Sequence, residues 1–358
     1  MLEARRPIQN LKAYHPPLSG RRGLRLDFNE NTQGPSPKVL RVLQQLTADD
    51  LVRYPEREPV ERLAAERFCV SPQQVLLTNG VDEAIQLLCQ TYLEPGCEAL
   101  IVVPAFAMYE LLASSTGAKV ISVPALSDFR FPTQSLLDRI TPATRLIAMA
   151  NPNNPTGVVA RPEEILQVAR AAADAAVLVD EAYFDFYGET LLSEISRVSN
   201  LFVARTFSKA YGLAGLRAGA LFACAESLQM VRRVASPYNV NAVALACLPA
   251  ALDDRDFVEQ YAAEIRRGRT RLESAYRSLG IRYWPSQGNF VLADFGSNAQ
   301  RLVAEMNARG ILVRDRSSDP GCQGCVRITI GTAEQMDRLL TALEETVRSL
   351  SLPERSLA

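Results

Sequence analysis

Short apolar runs alternate with longer amphipathic runs through the middle of the sequence. Short apolar runs are typical of strands that are buried on both faces, whereas amphipathic runs are typical of helices. One such helix is predicted over residues 163–175, because Pro162 stands where proline favours a helix start. The predicted strands cover residues 99–103, 119–123, 146–150, 177–180, 201–206 and 218–223. The alternation predicts an α/β domain in which helices cover both faces of a mostly parallel sheet.

The pattern changes after Asn239, where a long helical region is predicted over residues 242–280. Arg and Glu recur in this region at spacings of three and four residues, which place them on neighbouring positions of one helix face. Short strands are predicted beyond it at 281–284, 289–293, 311–313 and 326–330, and helices at 298–308 and 333–350. This part of the chain therefore predicts a smaller α+β domain.

A chain of 358 residues suggests about two domains. We expect a large domain at residues 37–238 and a small C-terminal domain at residues 239–358. Residues 1–36 contain several prolines and predict an extended N-terminal arm that joins the small domain.

Composition and charge narrow the classes of function. Hydrophobic residues make up 47% of the chain and charged residues 22%, as in soluble globular proteins. The net charge of −1 provides no basic surface for nucleic acid, and no apolar run reaches the roughly 18 residues of a membrane span. The N-terminus lacks the apolar core of a secretory signal. We expect a cytoplasmic protein that acts on small molecules, with no nucleic-acid or membrane partner.

The seven cysteines favour reduced thiols, because their odd number and apolar surroundings do not suit a disulfide framework. Cys322 and Cys325 form a C-x-x-C pair, but a single pair cannot complete a four-ligand zinc site. We predict no metal and interpret this pair as ordinary loop cysteines.

Residues with catalytic potential follow several predicted strands, at the point where each strand ends. Asp180 closes the strand at 177–180, and Lys209 follows the strand at 201–206. Because the carboxyl ends of parallel strands meet at one edge of a sheet, these side chains should lie together. Each residue alone has a simpler interpretation, Asp180 as a helix cap and Lys209 as a surface lysine. Their joint occurrence with the polar turn after residue 150 predicts one active site.

These segments resemble a known family. Ser208-Lys209 is followed by GLAGLR, which ends at Arg217, and is preceded by NPTG from Asn154 and DEAY from Asp180. In this order they resemble the fold-type-I aminotransferases, which depend on pyridoxal 5'-phosphate, and the resemblance spans nearly the whole chain. The chain is most similar to the histidinol-phosphate aminotransferases, through DFNEN at 27–31, RYP at 53–55, NGVDE at 79–83, RD at 314–315 and CVRITIG at 325–331. The resemblance implies an aspartate-aminotransferase-like large domain of three α/β/α layers and a smaller α+β domain.

The resemblance also implies a role for each residue of a cofactor site. Lys209 would hold pyridoxal 5'-phosphate as a Schiff base and then carry a proton between substrate and cofactor. Asp180 would pair with the pyridine nitrogen, while Asn154 and Tyr183 would hydrogen-bond to the 3'-oxygen. Phe106 would stack on the ring, although it also suits an ordinary core position. The implied phosphate contacts are the helix start at Gly80, Val81 and Asp82 and the side chains of Thr206, Ser208 and Arg217.

Two arginines are implied in substrate binding. Arg327 would hold the α-carboxylate of glutamate, and Arg314 would bind a substrate phosphate together with Arg327. Arg314 also suits a surface ion pair with Asp315 or Asp319.

Three further residues complete the implied substrate site. Tyr14 on the arm would approach the substrate, and Asn154 would contact it as well as the cofactor. Tyr54 would reach into the active site of the neighbouring subunit, so the resemblance implies a homodimer.

The implied reaction is transamination between glutamate and 2-oxoglutarate on one side and histidinol phosphate and imidazole-acetol phosphate on the other, a step of histidine biosynthesis. An aromatic amino-acid aminotransferase is one alternative, in which Arg314 has no phosphate to bind. A lyase similar to the threonine-phosphate decarboxylases is another, with the same cofactor. A nucleotide-binding regulatory protein is disfavoured, because the G-x-G-x-x-G spacing is missing.

Overall fold

The computed structural model describes residues 2–15, 20 and 22–350 of the chain. Its strands are β1 (Leu24–Arg25), β2 (Val75–Thr78), β3 (Glu98–Val103), β4 (Lys119–Pro124), β5 (Thr144–Ala150), β6 (Ala176–Asp180), β7 (Leu201–Thr206), β8 (Gly219–Phe222), β9 (Arg282–Trp284), β10 (Phe290–Asp294), β11 (Ile311–Leu312), β12 (Arg314–Asp315) and β13 (Cys325–Thr329). Its α-helices are α1 (Arg6–Gln9), α2 (Pro37–Gln45), α3 (Ala48–Val52), α4 (Glu58–Phe68), α5 (Gly80–Tyr92), α6 (Ala107–Thr116), α7 (Thr133–Leu137), α8 (Pro162–Ala171), α9 (Phe184–Tyr187), α10 (Ala225–Arg232), α11 (Ala242–Asp253), α12 (Arg255–Ser278), α13 (Ala299–Ala308) and α14 (Ala333–Ser349).

A seven-stranded sheet with the order β2-β8-β7-β6-β5-β3-β4 forms the centre of the larger part of the fold. The five neighbouring strands β7, β6, β5, β3 and β4 pair in parallel. Strand β8 pairs antiparallel with both β7 and β2. The connection from β7 to β8 holds only a short 3-10 turn, so the chain returns antiparallel instead of crossing over a face of the sheet. The sequence analysis does not predict β2, whose apolar run VLLT fits a strand or a helix segment.

Helices cover both faces of this sheet. On one face, α5 and α6 pack through residues such as Ala84, Leu88 and Tyr109, all completely or almost completely buried. On the other face, a larger apolar core includes residues from α2, α4 and α8 and extends to Val291 of β10 and Ile328 of β13. The predicted three-layer α/β/α fold with a mostly parallel sheet is therefore confirmed.

Two predicted helices differ from those observed. The helix predicted over 163–175 is α8, which ends at Ala171 because Ala172 leaves the helical region with φ −104° and ψ 50°. The region predicted as helical over 242–280 contains two helices, α11 and α12, which are separated at Asp254 with φ −87° and ψ 63°.

A four-stranded antiparallel sheet with the order β12-β13-β10-β9 lies in the C-terminal part of the chain. The N-terminal arm joins this part, because Leu24 of β1 pairs in parallel with Ile311 of β11. The sequence predicted an extended arm, but part of the arm is helical. Arg6–Gln9 form α1, which Pro7 favours at its first turn and which packs against α6. The division into residues 1–36, 37–238 and 239–358 stays a prediction.

Within the described ranges, no helix combines the length and the apolar character that a bilayer crossing requires. The same ranges contain no group of three or more His, Cys, Asp or Glu side chains placed to hold a metal ion.

Candidate active site

Most of the candidate cofactor residues lie at one edge of the seven-stranded sheet. Thr78, the last residue of β2, is paired with Gly219, and so is Thr206, the last residue of β7. Asp180, the last residue of β6, is paired with Ala150 of β5 and with Ala204 of β7. The turns that follow β2, β5 and β6 and the connection between β7 and β8 therefore meet at this edge.

The start of α5 and the loop before β8 form a cradle with an anion-binding character. Gly80 begins α5 directly after β2 and has φ +76°, and a Cβ on it would lie 2.7 Å from an Nη atom of Arg217. Gly219 would place a Cβ 2.8 Å from the backbone of Gly80. Only glycine permits this close approach, which brings the guanidinium beside the free N–H groups of the helix start.

The side chains of the cradle are ordered by hydrogen bonds. The Nη2 of Arg217 donates to the carboxylate of Asp82 at 3.0 Å. Thr206 and Ser208 are both buried, and the hydroxyl oxygen of Thr206 accepts from the Ser208 N–H at 3.0 Å. The predicted phosphate-binding side chains and the backbone of Gly80, Val81 and Asp82 are thus assembled at one place.

Asp180 is a buried carboxylate held by two donors. The hydroxyl of Tyr109 donates to Oδ2 at 2.6 Å, and the N–H of Ala182 donates to Oδ1 at 3.0 Å. Burial raises the pKa of Asp180 from 3.8 to about 6, although both hydrogen bonds lower it. Sequence reasoning missed Tyr109. Its signal is the three-residue spacing after Phe106, which places both residues at the start of α6 with their rings edge to face at 6.0 Å.

Lys209 carries an amine that loses its proton more easily than a surface lysine. Its Nζ donates to the carbonyl of Phe28 at 3.1 Å. Burial, with a smaller contribution from the positive charge of Arg327, lowers the pKa of Lys209 from 10.5 to about 8, although the charges of Glu30 and Asp180 oppose the change. A substantial fraction of the amine is therefore neutral near pH 7 to 8, as a nucleophile or a proton carrier requires.

Tyr183 is connected to the N-terminal arm through Asn29, which sequence reasoning also missed as a site residue. The Nδ2 of Asn29 donates to the Tyr183 hydroxyl at 3.0 Å, and its Oδ1 accepts from the hydroxyl of Thr329 at 3.1 Å. Asn29 has φ +55°, a conformation that asparagine adopts more readily than most residues. It thus links a residue after β6 to β13.

Arg327 reaches the site from the small sheet. Its Nη1 donates to Oδ1 of Asn154, and its Nη2 donates to the carbonyl of Asp27 at 2.7 Å. The side chain is almost completely buried, and burial lowers its pKa to about 10. Its Nε is buried and has no hydrogen-bond acceptor among the described residues.

Arg314 is the direct cross-strand partner of Arg327 in the pairing of β12 with β13. Side chains of directly paired residues lie on the same face of a sheet, so the two guanidinium groups belong to one surface. The guanidinium of Arg314 lies 5.2 Å from the ring centre of Phe28. No ion pair joins it to Asp315 or Asp319 in the described part of the chain.

Two predicted substrate residues lie on exposed surface of the chain. Tyr54 is 78% exposed and stacks on Tyr238 with ring centres 4.3 Å apart. Tyr14 is 42% exposed. Their predicted contacts with a substrate stay predictions.

Comparison with known proteins identifies the family. The sequence model of "Aminotransferase class I and II" matches residues 21–343. The chain belongs to the class I and II aminotransferases. Among curated relatives, it is 37% identical over 331 residues to histidinol-phosphate aminotransferase 2 of Pseudomonas fluorescens, covering 90% of this chain and 89% of the relative. It is 34% identical over 341 residues to the histidinol-phosphate aminotransferase of a Geobacillus species, covering 92% and 91%.

A solved structure has the same fold as this aminotransferase. The histidinol-phosphate aminotransferase of Sinorhizobium meliloti, in complex with pyridoxal-5'-phosphate, superposes with a TM-score of 0.89 at 27% identity. The match covers 98% of this chain and 99% of that one.

Proposed function

We propose that this aminotransferase uses pyridoxal 5'-phosphate to exchange an amino group between glutamate and histidinol phosphate, in histidine biosynthesis. The observation that carries the proposal is the meeting of Lys209, with its lowered pKa, and the strand-paired arginines Arg314 and Arg327 at one site. The 33–37% identity of eight curated histidinol-phosphate aminotransferases supports the same substrate.

The residues present fit pyridoxal 5'-phosphate. Asp180 supplies a buried carboxylate for a protonated ring nitrogen. The positive charge of this nitrogen would offset the free energy that burial of the carboxylate costs. The cradle at Gly80 and Arg217 supplies helix-start N–H groups and a guanidinium for the phosphate. Tyr183 and Asn154 are assigned to the 3'-oxygen, and Phe106 to one face of the ring. When bound, the cofactor supplies the electron sink that makes the substrate α-carbon acidic.

Lys209 is the assigned proton carrier. Its Nζ accepts the proton from the α-carbon of the amino substrate, which requires a neutral amine at that moment. Because its pKa is about 8, the amine gains and loses a proton with little free-energy change near neutral pH. Asp180 would pair with the ring nitrogen of the cofactor and favour its protonated form.

The arginine pair suits both amino donors. Arg327 is held in place by Asn154 and the Asp27 carbonyl, so its guanidinium is oriented before a substrate arrives. We assign it to the α-carboxylate of glutamate, and Arg314 together with Arg327 to the phosphate of histidinol phosphate. Arginine suits both anions because it donates two parallel hydrogen bonds to carboxylate or phosphate.

A homodimer is proposed from the exposed aromatic pair of Tyr54 and Tyr238. Large apolar side chains are rarely exposed together on a monomer without an interaction. Tyr54 would enter the active site of the neighbouring subunit, and Tyr14 on the arm would approach the substrate. The further exposed apolar residues of α2, α3, α4, α10 and the segment after α10 are Leu40, Leu51, Val52, Leu63, Met230 and Val234. We also propose a cytoplasmic location.

A half-reaction tests the proposed function. The protein loaded with pyridoxal 5'-phosphate is mixed separately with histidinol phosphate and with phenylalanine, and the cofactor absorbance is followed. Conversion to the pyridoxamine form should be faster with histidinol phosphate. Faster conversion by phenylalanine would make the enzyme an aromatic amino-acid aminotransferase, and carbon dioxide release from threonine phosphate would make it a lyase.

Two lysine variants provide the matched control. Lys209→Ala removes the amine and should abolish turnover with either substrate. Lys38→Ala removes a partly exposed lysine that pairs with Asp253 and should leave turnover unchanged. Normal transamination by Lys209→Ala would contradict the proposed mechanism.

A further inference from the structure

A third arginine lies on the same sheet surface as Arg314 and Arg327. The Arg316 N–H donates to the carbonyl of Cys325 at 2.9 Å, so the antiparallel pairing of β12 with β13 continues one residue beyond Asp315. Alternate residues of a strand point to the same face, which places Arg316 on the face of Arg314. Because Arg314 is paired with Arg327, all three arginines belong to one surface.

Arg316 is a partly buried cation that is only partly satisfied. Its side chain is 15% exposed and forms an ion pair with Asp319, whose side chain is 18% exposed. The Nε of Arg316 is buried without an acceptor among the described residues, as is the Nε of Arg327. A buried donor without an acceptor costs free energy, which an anionic ligand with several oxygen atoms removes.

The charges of this cluster interact. Burial lowers the pKa of Arg327, and the charge of Arg316 contributes more to this decrease than that of Arg314. Burial raises the pKa of Asp319, and the charges of Arg316, Arg327 and Arg314 all oppose the increase. Asp319 is therefore a single carboxylate that interacts with three guanidinium groups, which leaves an excess of positive charge.

We propose that Arg316 is a further substrate-binding residue that selects a phosphate over a carboxylate, with Asp319 as the internal anion that the phosphate displaces. The inference rests on the proposed function and adds a specificity determinant to it. A phosphate ester carries a charge of about −1.5 to −2 at pH 7 and three oxygen acceptors. It can therefore compete with the carboxylate of Asp319 for Arg316, whereas the side-chain carboxylate of glutamate, with one charge, cannot.

A purely structural role predicts different behaviour. The Asp319 N–H donates to the Arg316 carbonyl and the Cys322 N–H to the Asp319 carbonyl, in two successive turns that share Asp319. If the ion pair only stabilised these turns, loss of either partner would have the same effect. If Asp319 competes with phosphate, the two losses have opposite effects on phosphate binding.

Inorganic phosphate is the probe, and the cofactor-loaded enzyme is used so that the cofactor cradle is occupied. The inhibition constant of phosphate is measured in the half-reaction with glutamate for wild type, Arg316→Gln and Asp319→Asn. Arg316→Gln should raise the constant about tenfold, the value of one charge-assisted hydrogen bond, with less than about a threefold change in the KM for glutamate. Asp319→Asn should lower the constant. Arg316→Lys should recover part of the inhibition, because it keeps the charge but loses the planar fork.

Arg282→Gln is the matched control, because Arg282 forms an exposed ion pair with Asp128 elsewhere on the small sheet. It should leave the inhibition constant unchanged, and thermal melting of every variant reports on folding. A rise in the constant for both Arg316→Gln and Asp319→Asn, or an equal loss for glutamate, would overturn the proposal. If the wild-type enzyme converts histidinol phosphate no faster than histidinol, the proposed function is wrong, while phosphate inhibition still decides the role of Arg316.

Discussion

Replacement of Asp180 by Asn should stabilise the cofactor-free protein although it removes transaminase activity. Asp180 is 5% exposed, and its burial raises its pKa from 3.8 to about 6. A carboxylic acid whose pKa is raised by folding destabilises the folded state above that pKa, because the ionised form is better solvated in the unfolded chain. This penalty decreases as the pH falls from about 6 towards 3.8, where the group takes up its proton in both states.

The magnitude follows from the two pKa values. The difference between 3.8 and about 6 corresponds to roughly 3 kcal/mol of unfolding free energy at pH 8 and to about half of that at pH 5. An amide keeps the hydrogen bond from the Ala182 N–H on its oxygen and donates from its nitrogen to the Tyr109 hydroxyl, so the charge-assisted bond from Tyr109 becomes a neutral one, which costs about 1 kcal/mol. The net stabilisation by Asp180→Asn should therefore be about 2 kcal/mol at pH 8 and roughly 0.5 kcal/mol at pH 5.

Urea unfolding of the cofactor-free protein measures this difference. Wild type and Asp180→Asn are compared at pH 8 and pH 5 and at one protein concentration. Asp174→Asn is the control, because Asp174 is an exposed carboxylate and its loss should not change stability at either pH. Equal stability of Asp180→Asn and wild type at pH 8, or a gain that does not shrink at pH 5, would refute the reasoning.

Three further changes test other parts of the site. Tyr109→Phe removes a hydrogen bond that lowers the pKa of Asp180, so the acidic limb of the pH profile of kcat/KM should move to higher pH. The control Tyr276→Phe removes a buried hydroxyl without a partner in the described ranges and should leave the pH profile unchanged. Arg314→Ala should raise the KM for histidinol phosphate by about tenfold or more and leave phenylalanine unaffected, and equal losses would contradict its phosphate role. Gly80→Ala should weaken cofactor binding in equilibrium dialysis, because the new Cβ would lie 2.7 Å from Arg217. The control is Gly96→Ala: Gly96 also has a positive φ but has open space around it, so this variant should bind the cofactor normally.

The sequence by itself determined that Asp180 and Lys209 meet at the edge of the sheet. Asp180 ends one strand and Lys209 follows another, both strands have apolar runs that are visible in the sequence, and parallel strands joined by crossovers all end at one edge. The same local rules located β3 to β7 to within two residues at each end. They missed β2, whose apolar run VLLT was not distinguished from a helix segment.

Only the tertiary structure decided which side chains touch at that edge. The partner of Asp180 is Tyr109, 71 positions earlier in the chain, and the partner of Tyr183 is Asn29 on the N-terminal arm. The three arginines share one surface only because the register pairs Arg314 with Arg327, and Asp319 is the partner of Arg316 instead of Arg314. Strand register and the packing of distant segments depend on the whole core, whereas helix and strand periodicity depends on neighbouring residues. The sequence therefore located the reactive groups, and the packing of distant segments set their partners and their pKa values.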